Sequence, residues 1–153
     1  MSNEKNIISE LQEELQYLIK GISTLQHAYN HCKQIGLKTE YTFDELDKWE
    51  ALTARFARLS DILTQKVFSS MMIILNGHAG SLIDKANFAE KYGIVAHSQD
   101  FTKLRLLRNF IAHEYAKQNT SEVFEKVFDN CRVVESMILN VEAFCKIQIF
   151  DKI

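Results

Sequence analysis

One stretch in the last third of the chain gathers most of its reactive groups: Arg105-Leu-Leu-Arg108-Asn109-Phe-Ile-Ala-His113-Glu114-Tyr115. Leu104, Leu107 and Ile111 recur at helical spacing and anchor it as an amphipathic helix. On such a helix Asn109 and His113 lie one turn apart on one face, where the amide can orient the imidazole. Arg108 and Tyr115, seven apart, share another face. Arg108 and His113 stand roughly 140° apart, placed to flank a groove rather than to stack. Between Ser98 and Lys117 the cations Lys103, Arg105, Arg108 and Lys117 are opposed only by Asp100 and Glu114.

Histidine exchanges protons near neutrality, and the guanidinium is a planar, permanent cation that matches phosphate oxygens. Together they suit metal-free cleavage of RNA. That reaction needs a base for the 2′-hydroxyl proton, an acid for the leaving 5′-oxygen and a cation for the charged phosphorane. One motif supplies one histidine, so two copies facing each other across a symmetric dimer would supply both acid and base.

The bare Arg-x4-His spacing is weak, since five Arg and five His in 153 residues give it by chance about one time in six. On spacing alone, a solvated polar helix face is an equal reading. Arg55, Arg58 and Asp61 also divide two ways. They form an i,i+3 ion-paired ladder, or a patch that faces the Arg/His helix and positions the motif or lends charge to an RNA groove. His27 and His31 are an i,i+4 pair without a third ligand in view, so no metal is expected. No Gly-rich phosphate loop or H-E-x-x-H pattern occurs, and no cofactor is expected. Cys32, Cys131 and Cys145 lack C-x-x-C spacing; the last two lie on an apolar stripe as core residues. His78 and His97 read as surface groups, and Glu114 is expected to face solvent.

The elements that must position the motif are helices. Proline is absent, the five glycines end at Gly93, and 46% of residues are hydrophobic, which leaves too few turn residues for a sandwich or barrel. Helix one spans about 6–35 and stops at Gly36. Helix two starts at the capping box Thr42-Phe43-Asp44-Glu45 and runs to about Asn76 through Phe56, Leu59, Leu63, Phe68 and Met71. A short third helix covers about 81–92. Helix four begins with Ser98 as N-cap and ends near Tyr115, and helix five follows a cap formed by Asn119 with Glu122. The expected architecture is an all-α, up-and-down bundle of four longer helices plus one short one, a single domain over 1–153. The net charge of −2 gives no global pull toward nucleic acid. No signal peptide or membrane span is visible, so a cytoplasmic location and no membrane partner are expected.

Arg-Asn-x-x-x-His-x-Tyr in this setting resembles the HEPN superfamily, in particular the HepT-type ribonuclease toxins encoded beside minimal nucleotidyltransferase antitoxins. Three segments follow that group's order: Ala54-Arg-Phe-Ala-Arg-Leu-Ser-Asp61, Asp84-Lys-Ala-Asn-Phe-Ala-Glu-Lys-Tyr-Gly93, then Leu104 to Tyr115. The resemblance implies a homodimer, open to higher assembly, acting as a metal-independent endoribonuclease on tRNA or mRNA. Arg108 corresponds to the phosphate-binding arginine, His113 to the catalytic histidine and Asn109 to the polar residue after the arginine. Tyr115 matches the tyrosine that the partner nucleotidyltransferase modifies with AMP, which would block RNA by bulk and charge. Arg55, Arg58 and Arg105 are candidate RNA-groove contacts. The alternatives are a non-catalytic substrate-binding or regulatory partner of a nucleotidyltransferase, and a helical dimer that merely binds a nucleotide.

Overall fold

The computed structural model describes residues 2–153, and it is helical throughout, with no strand among the described residues. Helix α1 is Ser2–Ile35. Helix α2 covers residues 43–76 as one rod in three parts: an α-helix Phe43–Asp61, a π-helical turn Ile62–Val67 and an α-helix Phe68–Asn76. Helix α3 is Leu82–Lys91, α4 is Ser98–Ala116 and α5 is Thr120–Gln148, followed by a 3-10 turn Phe150–Lys152. The expected bundle of four longer helices and one short helix is what forms. No helix among the described residues is long and apolar enough to cross a membrane.

The entry to α2 follows from its cap. The Thr42 side chain accepts from the Glu45 amide at 3.2 Å, and Glu45 Oε1 accepts from the Thr42 amide at 3.0 Å. Its exit is Gly77, at φ 86°, whose N–H donates to the Ile73 carbonyl in a left-handed stop that glycine adopts without a Cβ penalty. Between these ends α2 departs from the uniform helix that the apolar stripe suggests. The Thr64 hydroxyl donates to the Ser60 carbonyl at 2.7 Å, the acceptor that the Thr64 amide would use in an α-helix. The ladder shifts to five-residue bonds, ending with the Phe68 amide on Leu63.

Two aromatic clusters pin the helices. Trp49 of α2 stacks on Phe124 of α5 with ring centroids 5.1 Å apart, while Tyr29 of α1 stacks on Phe128 at 4.5 Å. At the other end Phe68 of α2 packs on Phe101 of α4 at 4.6 Å, and Phe88 of α3 meets Phe144 of α5 at 5.7 Å. Phe101, Leu104 and Ile111 are the buried stripe of α4. Each such side chain contributes about 1.5–3 kcal/mol through burial, so α4 is fixed in rotation by its apolar side first.

Gly21 lies where α1 crosses α2. A Cβ built on it would collide with the Leu59 side chain, so its low helix propensity is offset by a close approach of the two helices. Gly21→Val is expected to lower stability by about 1–3 kcal/mol. Urea unfolding checks this: the midpoint should fall at unchanged slope, and an unmoved or higher midpoint contradicts the close packing.

Candidate functional site

Helix α4 carries the motif, and its start is set by a neighbour. Glu90 Oε2 at the end of α3 accepts from the Ser98 amide at 2.6 Å, a charge-assisted bond at a helix N-terminus. Ser98 therefore lies in the first turn, and the N-cap is His97, one residue earlier than its hydroxyl suggests. The His97 amide donates to Asp100 Oδ2 at 3.2 Å. Asn140 of α5 donates its amide to the Ile94 carbonyl at 3.0 Å and ties down the loop before the helix.

The far end turns without glycine. Gln118 takes φ 61° between α4 and α5, a left-handed conformation costing a non-glycine residue about 1–2 kcal/mol. Asn119 Nδ2 bridges Glu114 Oε2 at 3.0 Å and Glu122 Oε2 at 2.9 Å. Asn119 is the N-cap of α5 as expected, but its side chain makes no capping bond to the backbone. Glu114, expected to face solvent, is instead tucked into this turn, with its side chain 17% exposed and Lys117 Nζ at 4.0 Å.

The centre of the site is an interhelical clamp. Asp61 Oδ1, at the boundary of the π-helical turn of α2, accepts from Arg105 Nη1 at 2.9 Å and from Arg108 Nε at 3.0 Å. The Gln65 amide, turned so that its oxygen faces the guanidinium, accepts from Arg105 Nη1 at 2.9 Å and also from Nη2. Arg105, expected among the groove contacts, thus directs its terminal nitrogens into the protein. Arg108 is bonded through Nε alone among the described residues. Its side chain is 24% exposed, and no hydrogen bond among the described residues engages Nη1 or Nη2.

Arg55 and Arg58 turn the other way. Arg55 Nη1 donates to the Thr24 carbonyl at 2.9 Å, and Arg58 Nη1 donates to the Tyr17 hydroxyl at 3.4 Å, both on α1. Neither joins an ion-paired ladder with Asp61, because that carboxylate is engaged across the bundle. Of the three, only Asp61 faces α4. Of the two expected readings, Asp61 follows the patch that faces α4, while Arg55 and Arg58 follow neither; sequence reasoning missed Gln65, for which the i,i+4 spacing from Asp61 was the available signal.

Asn109 and His113 are exposed on α4, and neither joins the clamp. The expected orienting bond is absent, since no hydrogen bond joins the Asn109 amide to the imidazole. They belong to a surface seam of Thr102, Leu106, Asn109, His113 and Ala116, spaced 4, 3, 4 and 3, on which Leu106 is 57% exposed. Tyr115 is half-buried against the core on the Arg108 side, as the seven-residue spacing predicts. Burial, then the nearby Glu50 carboxylate, push its hydroxyl up to about 12.

Other reactive groups form no comparable arrangement. The His27 and His31 rings meet edge to face at 4.4 Å beside Asp44 and Asp47. Among the described residues no group of three His, Cys, Asp or Glu side chains is placed to hold a metal ion. Burial pushes Cys32 up to about 11 and Cys131 and Cys145 up to about 12, so these thiols stay protonated and inert. A cleft of about 500 Å³ between α4 and α5 is lined by Lys103, Asn130, Arg132 and Ser136, and it does not include Arg108 or His113. Comparison of the chain with family models, curated proteins and solved structures returns no match.

The Tyr115 shift has a consequence for stability. In the unfolded chain the phenol ionises near pH 10, while in the folded chain it stays protonated to about 12. The folded state therefore binds the extra proton in this window, and the stability present below pH 10 is lost as pH rises through it. Tyr115→Phe should flatten the fall of the urea midpoint between about pH 10 and 12. An unchanged pH slope would contradict the burial of this hydroxyl.

Proposed function

We propose that the chain is a metal-independent endoribonuclease of the HEPN type, the toxin of a toxin–antitoxin pair, acting in the cytoplasm as a homodimer. The observation that carries this is the pairing of Arg108, bonded at Nε with its Nη edge left open, with an exposed, unpartnered His113 on the same helix. The two side chains leave α4 on different sides, so one chain cannot close them around a phosphate. A second copy laid along the seam through Leu106, Asn109 and His113 supplies what one chain lacks, and a two-fold axis makes the contact self-complementary.

In that dimer one His113, as neutral imidazole, takes the proton of the 2′-hydroxyl while its oxygen attacks phosphorus. Arg108 stabilises the charge gathering on the phosphorane oxygens. The other His113, as imidazolium, protonates the departing 5′-oxygen. The products are a 2′,3′-cyclic phosphate and a 5′-hydroxyl, with tRNA or mRNA as substrate.

Tyr115 is the residue through which a partner nucleotidyltransferase silences the enzyme. Its hydroxyl oxygen attacks the α-phosphorus of ATP, pyrophosphate leaves, and the phenolic proton goes to a base of the transferase. The hydroxyl is protonated at neutral pH, so its attack needs such a base. The resulting AMP lies on the Arg108 side of α4 and competes with RNA through its own phosphate.

Purified protein, checked by intact mass for AMP, is to be incubated with total tRNA in excess EDTA. Native protein should cut and leave 2′,3′-cyclic phosphate ends, while His113→Ala and Arg108→Ala each lose about 10²- to 10⁴-fold in rate. Unmodified native protein that does not cut would overturn the nuclease reading in favour of a regulatory partner of the transferase.

A further inference from the structure

We propose that Asp61 is a positioning residue for Arg108, with Arg105 and Gln65 as its brace; this deepens the nuclease reading and rests on it. A free arginine side chain carries about 2 kcal/mol of rotamer entropy, so a guanidinium left loose on a helix surface would spend most of its time away from any one geometry. Asp61 Oδ1 removes that freedom at the Nε end. A guanidinium offers two bidentate edges, and engaging Nε leaves the Nη1/Nη2 edge as the one that matches two phosphate oxygens.

The brace explains why one carboxylate holds two arginines. Arg105 shares Oδ1 with Arg108 and is fixed from its other side by Gln65, so its charge stays beside the carboxylate. Lys85 of α3 faces the same cluster, and burial first, then Arg105, hold its ammonium below the usual lysine range. Two guanidiniums thus converge on one bonded carboxylate, with the Lys85 ammonium near Arg105, and the patch remains net positive. Without Asp61 they would repel one another, and Arg108 would lose both its anchor and its direction. Arg105 then acts through Asp61 rather than on the substrate.

The test uses full-length native protein, Asp61→Ala, Asp61→Asn and Arg105→Ala, with thermal melts on each. Arginine Nε–Hε signals are read by NMR, with inorganic phosphate as the probe of the Arg108 edge. Steady-state cleavage of tRNA is measured in parallel. The expected result is an ordered Arg108 Nε–Hε signal that moves on phosphate addition and is lost in Asp61→Ala. That variant should lose about 10- to 10²-fold in kcat with KM within about twofold, and Asp61→Asn, which keeps an acceptor oxygen, should recover most of the rate. Arg105→Ala should show a smaller loss of the same kind.

An Asp61→Ala protein that keeps the native Arg108 signal, or the full rate of an active native enzyme, overturns the positioning role. So does a loss that is equal in the Ala and Asn variants and follows the melting temperature. If native protein does not cut RNA, the nuclease reading fails by itself. The NMR arm then decides alone: a phosphate response present in native protein and absent in Asp61→Ala supports the positioning role, and its persistence in the variant rejects it.

Discussion

A single carboxylate oxygen sets the geometry of this molecule's reactive face. Asp61 Oδ1 joins α2 to α4 by accepting from two arginines one turn apart, and the buried stripe of Phe101, Leu104 and Ile111 allows only one rotation of α4 that brings both within reach. Apolar burial provides the energy, and the clamp provides direction. A partly exposed ion pair contributes little to stability by itself. Its effect here is to decide which edge of Arg108 faces the protein and which faces outward.

The same rotation separates the motif. With Arg108 and Tyr115 on the side facing the bundle and Asn109 and His113 on the outer side, the proposed acid–base and phosphate-binding groups leave one chain in different directions. The α4–α5 cleft contains neither Arg108 nor His113. In the proposed composite centre formed by two copies, each of these side chains would have a role. Tyr115, beside Arg108 and half-buried, is then reachable from the edge of such a centre without being part of its chemistry.

Most of the fold was legible in the sequence because its signals are local. Capping residues, the stop at Gly77 and the recurrence of Leu and Phe at three and four act within one or two turns, and the helices follow them. The motif residues of α4 were legible for the same reason, as was the shared face of Arg108 and Tyr115. What failed were pairings between elements. Asp61 does face α4, as one of the two readings had it, but Arg58, spaced to pair with it, turns to Tyr17 instead. Glu114 looked solvated until the turn brought Asn119 to it, and Ser98 lost the capping position to His97 once Glu90 claimed its amide. The π-helical turn left no mark in the apolar period, because buried Leu63, Val67 and Met71 keep four-residue steps across it.

The most direct measurement of the composite centre is subunit mixing. Native chains and His113→Ala chains are combined at increasing variant fraction, allowed to exchange, and assayed for cleavage of tRNA. If both histidines serve one centre, activity follows the square of the native fraction and falls to about one quarter at equal mixing. Activity that instead falls in proportion, to about one half, would mean that each centre uses a single histidine and would contradict the shared acid–base pair.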